Sequence, residues 1–253
     1  MADFSDTFQL FSANQIASLR AGGEILRECL DHCQKLVVPG IQTAEIDRIA
    51  EEFIVKRGGR PAFKGYHGFP ATLCISINDE VVHGIPGKRA VQEGDIVSLD
   101  GGVIFDDLYT DACVTVGAGK LATRTKKFLD VTSKTLEVLI RDVVKPGATV
   151  GDLSAFIQKH LEKAGYSPVR ALTGHGLGTT LHQFPDVPNW GEAGKGPVLP
   201  VHTMIAIEPI ASMGSPDVST DGDGWTIRTV DRSLSCHFEH SVLITETGCE
   251  IIA

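Results

Sequence analysis

Leu36-Val-Val-Pro-Gly-Ile-Gln-Thr-Ala-Glu-Ile-Asp-Arg-Ile-Ala50 and, later in the chain, Val143-Val-Lys-Pro-Gly-Ala-Thr-Val-Gly-Asp-Leu-Ser-Ala-Phe156 are two copies of one pattern. Pro39-Gly40 answers Pro146-Gly147, and Ile46, Ile49 and Ile54 answer Leu153, Phe156 and Leu161. Each copy runs on to a glycine, Gly58 or Gly165. In both, an apolar helix stops at a Pro-Gly turn, since proline cannot extend the helical ladder and glycine turns out of it without strain. A second helix with apolar residues three and four apart follows, and glycine closes it.

The correspondence continues downstream at nearly the same offset. Gly65-Tyr-His-Gly-Phe69 aligns loosely with Leu172-Thr-Gly-His-Gly-Leu177, and Ile96-Val-Ser-Leu-Asp100 with Met204-Ile-Ala-Ile-Glu208, an apolar strand reaching a carboxylate each time. Helices are expected at about Asn14–Leu36, Ala44–Arg57, Thr123–Val144 and Gly151–Ala164. Strands, rich in β-branched and aromatic residues, are expected at Thr72–Ile77, Val81–His83, Ile96–Ile104, Leu108–Val116, Met204–Glu208, Trp225–Thr229 and Cys236–Thr245. Asn78-Asp79, Glu93-Gly94-Asp95, Asp106-Asp107 and Asp231-Arg232-Ser233 supply the turns. Helices before strands, twice over, give an α+β fold built from a duplicated α-α-β-β unit with a pseudo-twofold axis. The copies span about 12–120 and 121–253, within one catalytic domain over 1–253. A site on that axis draws residues from both halves.

The 253 residues are 42% apolar and 22% charged, the balance of a folded globular chain. Net charge is -9 with no Lys/Arg cluster, which argues against a nucleic-acid or anionic-membrane partner and suits cationic ligands. No apolar run is long enough to cross a bilayer, and Met1–Leu10 lacks the basic and apolar regions of a signal peptide. Cys29, Cys33, Cys74, Cys113, Cys236 and Cys249 are scattered without metal-finger spacing. Reduced thiols and no export signal point to the cytoplasm.

Asp100, Asp111, His175, Glu208 and Glu239 stand out as metal ligands. Asp106-Asp107 folds Asp111 back beside Asp100, and Glu208 with Glu239 does the same in the second half. Each acid alone reads as a turn former, a backbone cap or a surface group. Together, at the inner ends of apolar strands, they would repel and take up protons unless cations joined them. Carboxylates with one imidazole and no thiolate suit Mn, Fe, Co or Zn in a dinuclear site better than structural zinc or calcium.

Cys74-Ile-Ser-Ile-Asn-Asp-Glu-Val-Val-His-Gly-Ile-Pro86, Asp100 with Asp111, Gly174-His-Gly-Leu-Gly-Thr-Thr-Leu-His-Gln-Phe-Pro185, Ile207-Glu-Pro209 and Phe238-Glu-His240 resemble the signatures of type I methionine aminopeptidases, within the pita-bread group of metallopeptidases. The resemblance covers nearly the whole chain. It implies a pita-bread fold with two divalent metal ions at its centre. Asp100 would chelate one ion, His175 and Glu208 the other, with Asp111 and Glu239 bridging. A water shared by the ions would lose a proton near neutral pH and attack the peptide carbonyl. Glu208 would accept and pass on the proton, His182 would face the developing oxyanion, and His83 would hold the backbone of the second substrate residue and help protonate the leaving group. The implied substrates are nascent polypeptide N-termini, met at the ribosome by a monomer, with a small second residue favoured.

The implied methionine pocket is lined by Tyr66, Phe69, Cys74, Leu181 and Trp225. Relatives usually carry an aromatic in place of Leu181, a departure that widens the pocket or weakens its grip on methionine. Gly101-Gly102 after the first ligand is a second departure, expected to loosen that hairpin. Asn78, Glu80 and Ser235 correspond to a monovalent-cation loop, which the acidic Glu80 would strengthen. Ser212–Gly224 reads as a mobile loop beside Trp225, with Asp221 and Asp223 in a solvated turn. His32, His67, His160, His202, His237 and His240 are read mostly as structural, with His67 a pocket neighbour. The rival readings are a proline-directed aminopeptidase or dipeptidase of the same fold, and a silent peptide-binding module that has lost catalysis.

Overall fold

The computed structural model describes residues 7–253. The first six, part of the stretch read for a signal peptide, lie outside the described residues.

The first half opens with two helices, α1 (Ala13–Cys33) and α2 (Thr43–Lys56). Strands β1 (Arg60–Pro61), β2 (Leu73–Ile77), β3 (Glu80–Val82), β4 (Ile96–Phe105) and β5 (Leu108–Gly117) follow. Helices α3 (Thr123–Asp142) and α4 (Val150–Lys163) open the second half. After them come β6 (Ser167–Pro168), β7 (Thr173–Gly176), β8 (Gln183–Pro188), β9 (Met204–Ile207) and β10 (Ile210–Ser212). The chain finishes with β11 (Val218–Thr220), β12 (Ile227–Thr229), β13 (Ser235–His237), β14 (Glu239–Ile244) and β15 (Cys249–Ile251). All strand pairings among the described residues are antiparallel, in keeping with the expected α+β fold.

The repeat legible in the sequence recurs in the hydrogen bonds. Gly40, at φ 99°, donates its N–H to Val91 O (2.8 Å), and Gly147, at φ 83°, donates to Leu199 O (3.0 Å). Val91 N–H returns to Ile41 O at 2.8 Å, and Leu199 N–H to Ala148 O at 2.9 Å. Past the closing glycines, Gly59 N–H reaches Ile54 O and Tyr166 N–H reaches Leu161 O, both at 3.0 Å. The same turn is thus built twice from the same residue types, glycine taking the left-handed conformation that a side chain would oppose.

Each helix pair packs on its own half. Leu26, Leu30, Ile46 and Ile54 join Leu73, Leu99 and Val103 in one core, and Phe128, Leu139, Leu153 and Ile157 join Ile205, Ile207 and Val242 in another. Burying such a Leu or Ile contributes about 1.5–3 kcal/mol. The main sheet runs β1-β4-β5-β14-β9-β7-β8, with β2 on β4 and β15 on β14. The halves meet where β5 pairs β14, Cys113 opposite Glu239 and Ala112 opposite His240.

Several elements differ from expectation. The predicted strand Cys236–Thr245 breaks at Phe238: β13 pairs β10, whereas β14 pairs β9 and β5. The matching break lies at Glu208-Pro209 between β9 and β10, where proline has no N–H to lend the ladder. Glu208 and Glu239 therefore stand in opposed sheet crossings, not in a simple hairpin. The β7–β8 pair went unforeseen because Thr173-Gly-His-Gly and the two prolines of β8 carry little strand propensity. The Ser212–Gly224 segment is not plain loop: Val218–Thr220 pairs β12. Asp223 accepts from Trp225 N–H and Thr226 N–H, both at 2.8 Å, and Asp221 pairs with Arg228. Its acids serve the turn, which holds Trp225 in place.

Gly101 and Gly102 leave the β4–β5 hairpin fully paired, opposite Ala112 and Asp111, where the sequence suggested loosening. A Cβ on Gly101 would stand 2.5 Å from Leu73 Cδ2, and one on Gly102 would stand 2.8 Å from Ala62 Cβ and 3.0 Å from Phe63 Cε1. Glycine lets β4 press against neighbours on both faces.

Candidate metal centre and substrate cavity

Asp100 pairs with Cys113 and Cys113 with Glu239, so one row crosses three strands with side chains on a common face. Asp111 lies two residues before Cys113 and shares that face. His175 enters from β7, its Nδ1 within 3.0 Å of Gly176 O, which turns Nε2 inward. Asp111, His175 and Glu239 each present a ligand atom within 4.8 Å of the others. Glu208 flanks them, with Oε1 3.9 Å from His175 Nε2. Asp100 lines the same cavity.

All five are buried, and Asp100 Oδ1, Asp111 Oδ1 and Glu239 Oε1 have no hydrogen-bond partner. Burial, offset in part by His237, raises the Asp100 carboxyl to about 7. Burial and neighbouring acids push Asp111 and Glu239 well above the usual carboxylate range. Burial, with His182 next to it, lowers the His175 imidazole to about 3, so it is a neutral electron-pair donor at neutral pH. Orphaned carboxylate oxygens beside a neutral imidazole fit divalent cations, which satisfy the oxygens and remove the repulsion.

A cavity of about 580 Å³ opens over this floor and is lined by every residue expected of the pocket: Tyr66, Phe69, Cys74, Leu181 and Trp225, with His83 and His182. Phe69 and Trp225 meet edge to face at 5.2 Å. Burial and adjacent carboxylates keep the Cys74 thiol protonated, an uncharged wall. Tyr66 Oη lies 3.0 Å from His182 Nδ1, and His182 is exposed. Burial and His67 lower the His182 pKa, and burial with His237 and His182 brings His83 to about 4. His83 sits at φ 59°, a left-handed conformation rare for a side-chain-bearing residue and common at functional sites.

Phe63 and His237 are among the lining residues that escaped the sequence reading. Phe63, buried beside Leu181, supplies an aromatic face near the position where Leu181 lacks one. No pattern in Pro61-Ala-Phe-Lys64 marked it. His237, read as structural, is buried in the floor, Nε2 3.3 Å from Glu208 Oε2 and 3.5 Å from Glu239 Oε2. Its spacing was the available signal: two residues before Glu239, it falls on the same side of an extended segment. Burial depresses its pKa, but Glu208 and Asp100 carry it above the ordinary value.

The cation-loop residues fall together, Ser235 N–H donating to Asn78 O at 2.8 Å. The Glu80 carboxylate is committed elsewhere: Arg89 and Arg228 donate to Oε1, each at 2.7 Å, and Ile77 N–H to Oε2 at 2.7 Å. The Glu80 carboxylate is therefore taken up by these partners and is not left to a cation.

The fold and its buried donor set define a metal-dependent peptidase, and a profile described as Metallopeptidase family M24 matches residues 17–246. The chain belongs to that family, and within it to the methionine aminopeptidases. A methionine aminopeptidase of Clostridium perfringens is 44% identical over 243 residues, 96% of this chain and 97% of the relative. Methionine aminopeptidase 1 of Bacillus subtilis is 41% identical, covering 94% of this chain and 96% of its own. The crystal structure of a methionine aminopeptidase from Thermotoga maritima superposes with a TM-score of 0.96 at 40% identity, covering 97% of this chain and 99% of that one. A prolidase from Pyrococcus furiosus shares the fold alone, at 19% identity and a TM-score of 0.79, and only 64% of it is covered.

Proposed function

We propose that this chain hydrolyses the N-terminal methionine from nascent proteins and peptides, favouring a small second residue. One observation carries the reading: a cavity of about 580 Å³, walled on one side by Tyr66, Phe69, Leu181 and Trp225, stands over three orphaned carboxylate oxygens and a neutral, inward-turned imidazole. The relatives at 37–44% identity are methionine aminopeptidases, which supports this substrate over proline-directed cleavage or silent binding.

Asp100 would hold one divalent ion and His175 with Glu208 a second, Asp111 and Glu239 lying between them; Co, Mn, Fe and Zn all suit these donors. Such ions, when bound, polarise the scissile carbonyl and acidify water. The chain's own residues do the rest. Tyr66, Phe69, Leu181 and Trp225 enclose the methionine side chain. Glu208 accepts the proton of the attacking water and delivers it to the departing amine. With the Tyr66 hydroxyl donating to Nδ1, neutral His182 carries its proton on Nε2, the form that donates to a carbonyl oxygen gaining charge. His83, neutral at working pH, meets the main chain of the second residue. A monovalent cation would sit where Asn78, in the β2–β3 turn, meets Ser235 of β13.

The same reading has residues 1–253 acting as one catalytic domain and monomer on N-termini emerging at the ribosome. Its place is the cytoplasm, where six unpaired cysteines are at home. Among the described residues no helix is long and apolar enough to cross a membrane. The test is turnover of Met-Ala-Ser against Ala-Pro-Ala peptides by metal-loaded protein. Preference for the second overturns the assignment. Glu208→Gln abolishes turnover, and wild-type activity in that variant refutes the role of Glu208.

A further inference from the structure

His237 is a buried imidazole for which both ring nitrogens lack a hydrogen-bond partner. Leaving such a group unsatisfied costs more than an apolar side chain would, so its presence in the cavity floor calls for a partner acquired in the working state. Its aim is fixed from behind. Thr115 Oγ1 donates to His237 O at 2.6 Å and accepts from His237 N–H at 3.0 Å, and Cys113 Sγ adds a third contact to the same carbonyl. β13 ends at His237, and the crossing through Phe238 puts the ring and Glu239 on one side.

The two oxygens of Glu208 face different imidazoles. Oε1 lies 3.9 Å from His175 Nε2, too far for a hydrogen bond and far enough for an ion between them. Oε2 lies 3.3 Å from His237 Nε2, where a small ring rotation lines up an N–H. We propose that His237 is a positioning residue, which by donating from Nε2 to Glu208 Oε2 holds Oε1 toward His175 and the ion they share. The proposal rests on the metallopeptidase reading above. Groups that orient a ligand in this way commonly govern metal affinity and rate by 10- to 100-fold.

Three variants test it. His237→Gln places an amide nitrogen about where Nε2 stands, His237→Asn reaches only as far as Nδ1, and His237→Leu has no donor. With Mn(II) saturating and Met-Ala-Ser as substrate, the Asn and Leu variants lose about 10- to 100-fold in kcat with KM within about twofold, and Gln restores kcat to within about threefold. Calorimetric titration of metal-free protein with Mn(II) shows the same order, with affinity about 10- to 100-fold weaker in Asn and Leu. The metal-free Leu variant melts no lower than wild type, because an unsatisfied polar group has gone. If Leu does not fold, Asn and Gln, alike in polarity, carry the comparison. Wild-type kcat and Mn(II) affinity in the Asn variant, or a Gln variant as impaired as Asn, overturns the proposal. A wild-type protein that neither binds Mn(II) nor cleaves the peptide sinks the peptidase reading itself, a result separable from failure of His237 alone.

Discussion

Tyr66 and His182 form a coupled pair at the cavity mouth, and their contributions differ in size. His182→Ala removes the donor to the developing oxyanion, so kcat falls by about 10²–10³ while metal content stays at the wild-type level. Metal loss in that variant would show that the ligand set is misassigned. Tyr66→Phe keeps the ring and loses one hydrogen bond, about 1 kcal/mol, so the expected fall is about fivefold. Steady-state kinetics with elemental analysis checks both. His83 adds a pH signature. Its folded-state pKa of about 4 lies below the ordinary 6.5, so the unfolded chain binds more protons between those values. That contribution to stability is complete above pH 6.5 and is lost as pH falls toward 4. His83→Asn therefore shows a smaller drop in Tm than wild type over this interval. At this scale the convergence of Asp100, Asp111, Glu208 and Glu239 was legible because acids seldom sit at the ends of apolar strands without partners. His237 was not, because histidine is ordinary in a strand and its meaning depends on the sheet crossing at Phe238.

The β4–β5 hairpin and the capped helices carry the element-scale tests. Gly102→Ala would drive a methyl against Ala62 and Phe63, so it lowers Tm and raises KM for methionyl peptides together. Helix α4 starts with a reciprocal cap: Thr149 N–H and Oγ1 reach Asp152 Oδ2, each at 2.8 Å, and Asp152 N–H returns to Thr149 Oγ1. Asp152→Ala removes the returning half of that cap and costs about 0.5–1.5 kcal/mol at neutral pH. The Thr149 and Gly194 hydrogen bonds hold the Asp152 carboxyl below its usual range. Its contribution is therefore present above the unfolded-state pKa and disappears as pH falls through the lower folded value. The Tm gap between the two proteins narrows accordingly in acid. Long helices were read to within a few residues because apolar spacing and Pro-Gly stops act locally. Strands β7 and β8 escaped because non-local pairing, not propensity, makes them.

At the scale of the whole molecule, two folded halves share one acidic floor. In metal-free protein burial and mutual repulsion make those carboxyls hold their protons more tightly, and divalent ions bound to the folded state alone stabilise it by mass action. At Mn(II) about 100-fold above Kd the gain is about 2.7 kcal/mol, several degrees in Tm for a chain of this size. A scanning-calorimetry pair with and without Mn(II) reads it directly, and an unchanged Tm would contradict the donor set. Duplication was visible because both copies kept their turn chemistry. The seam between them was not, since Ala112, Cys113, Glu239 and His240 lie far apart in the chain.

That seam has a mechanical consequence. Asp100 and Asp111 come from one side of it, and His175, Glu208 and Glu239 from the other. Gly119-Lys120, exposed on the connection between β5 and α3, gives a protease one place to cut. A molecule nicked there would be riveted by its ions, and a chelator would loosen the rivet, so that sedimentation of the cleaved protein reports metal occupancy with no substrate present.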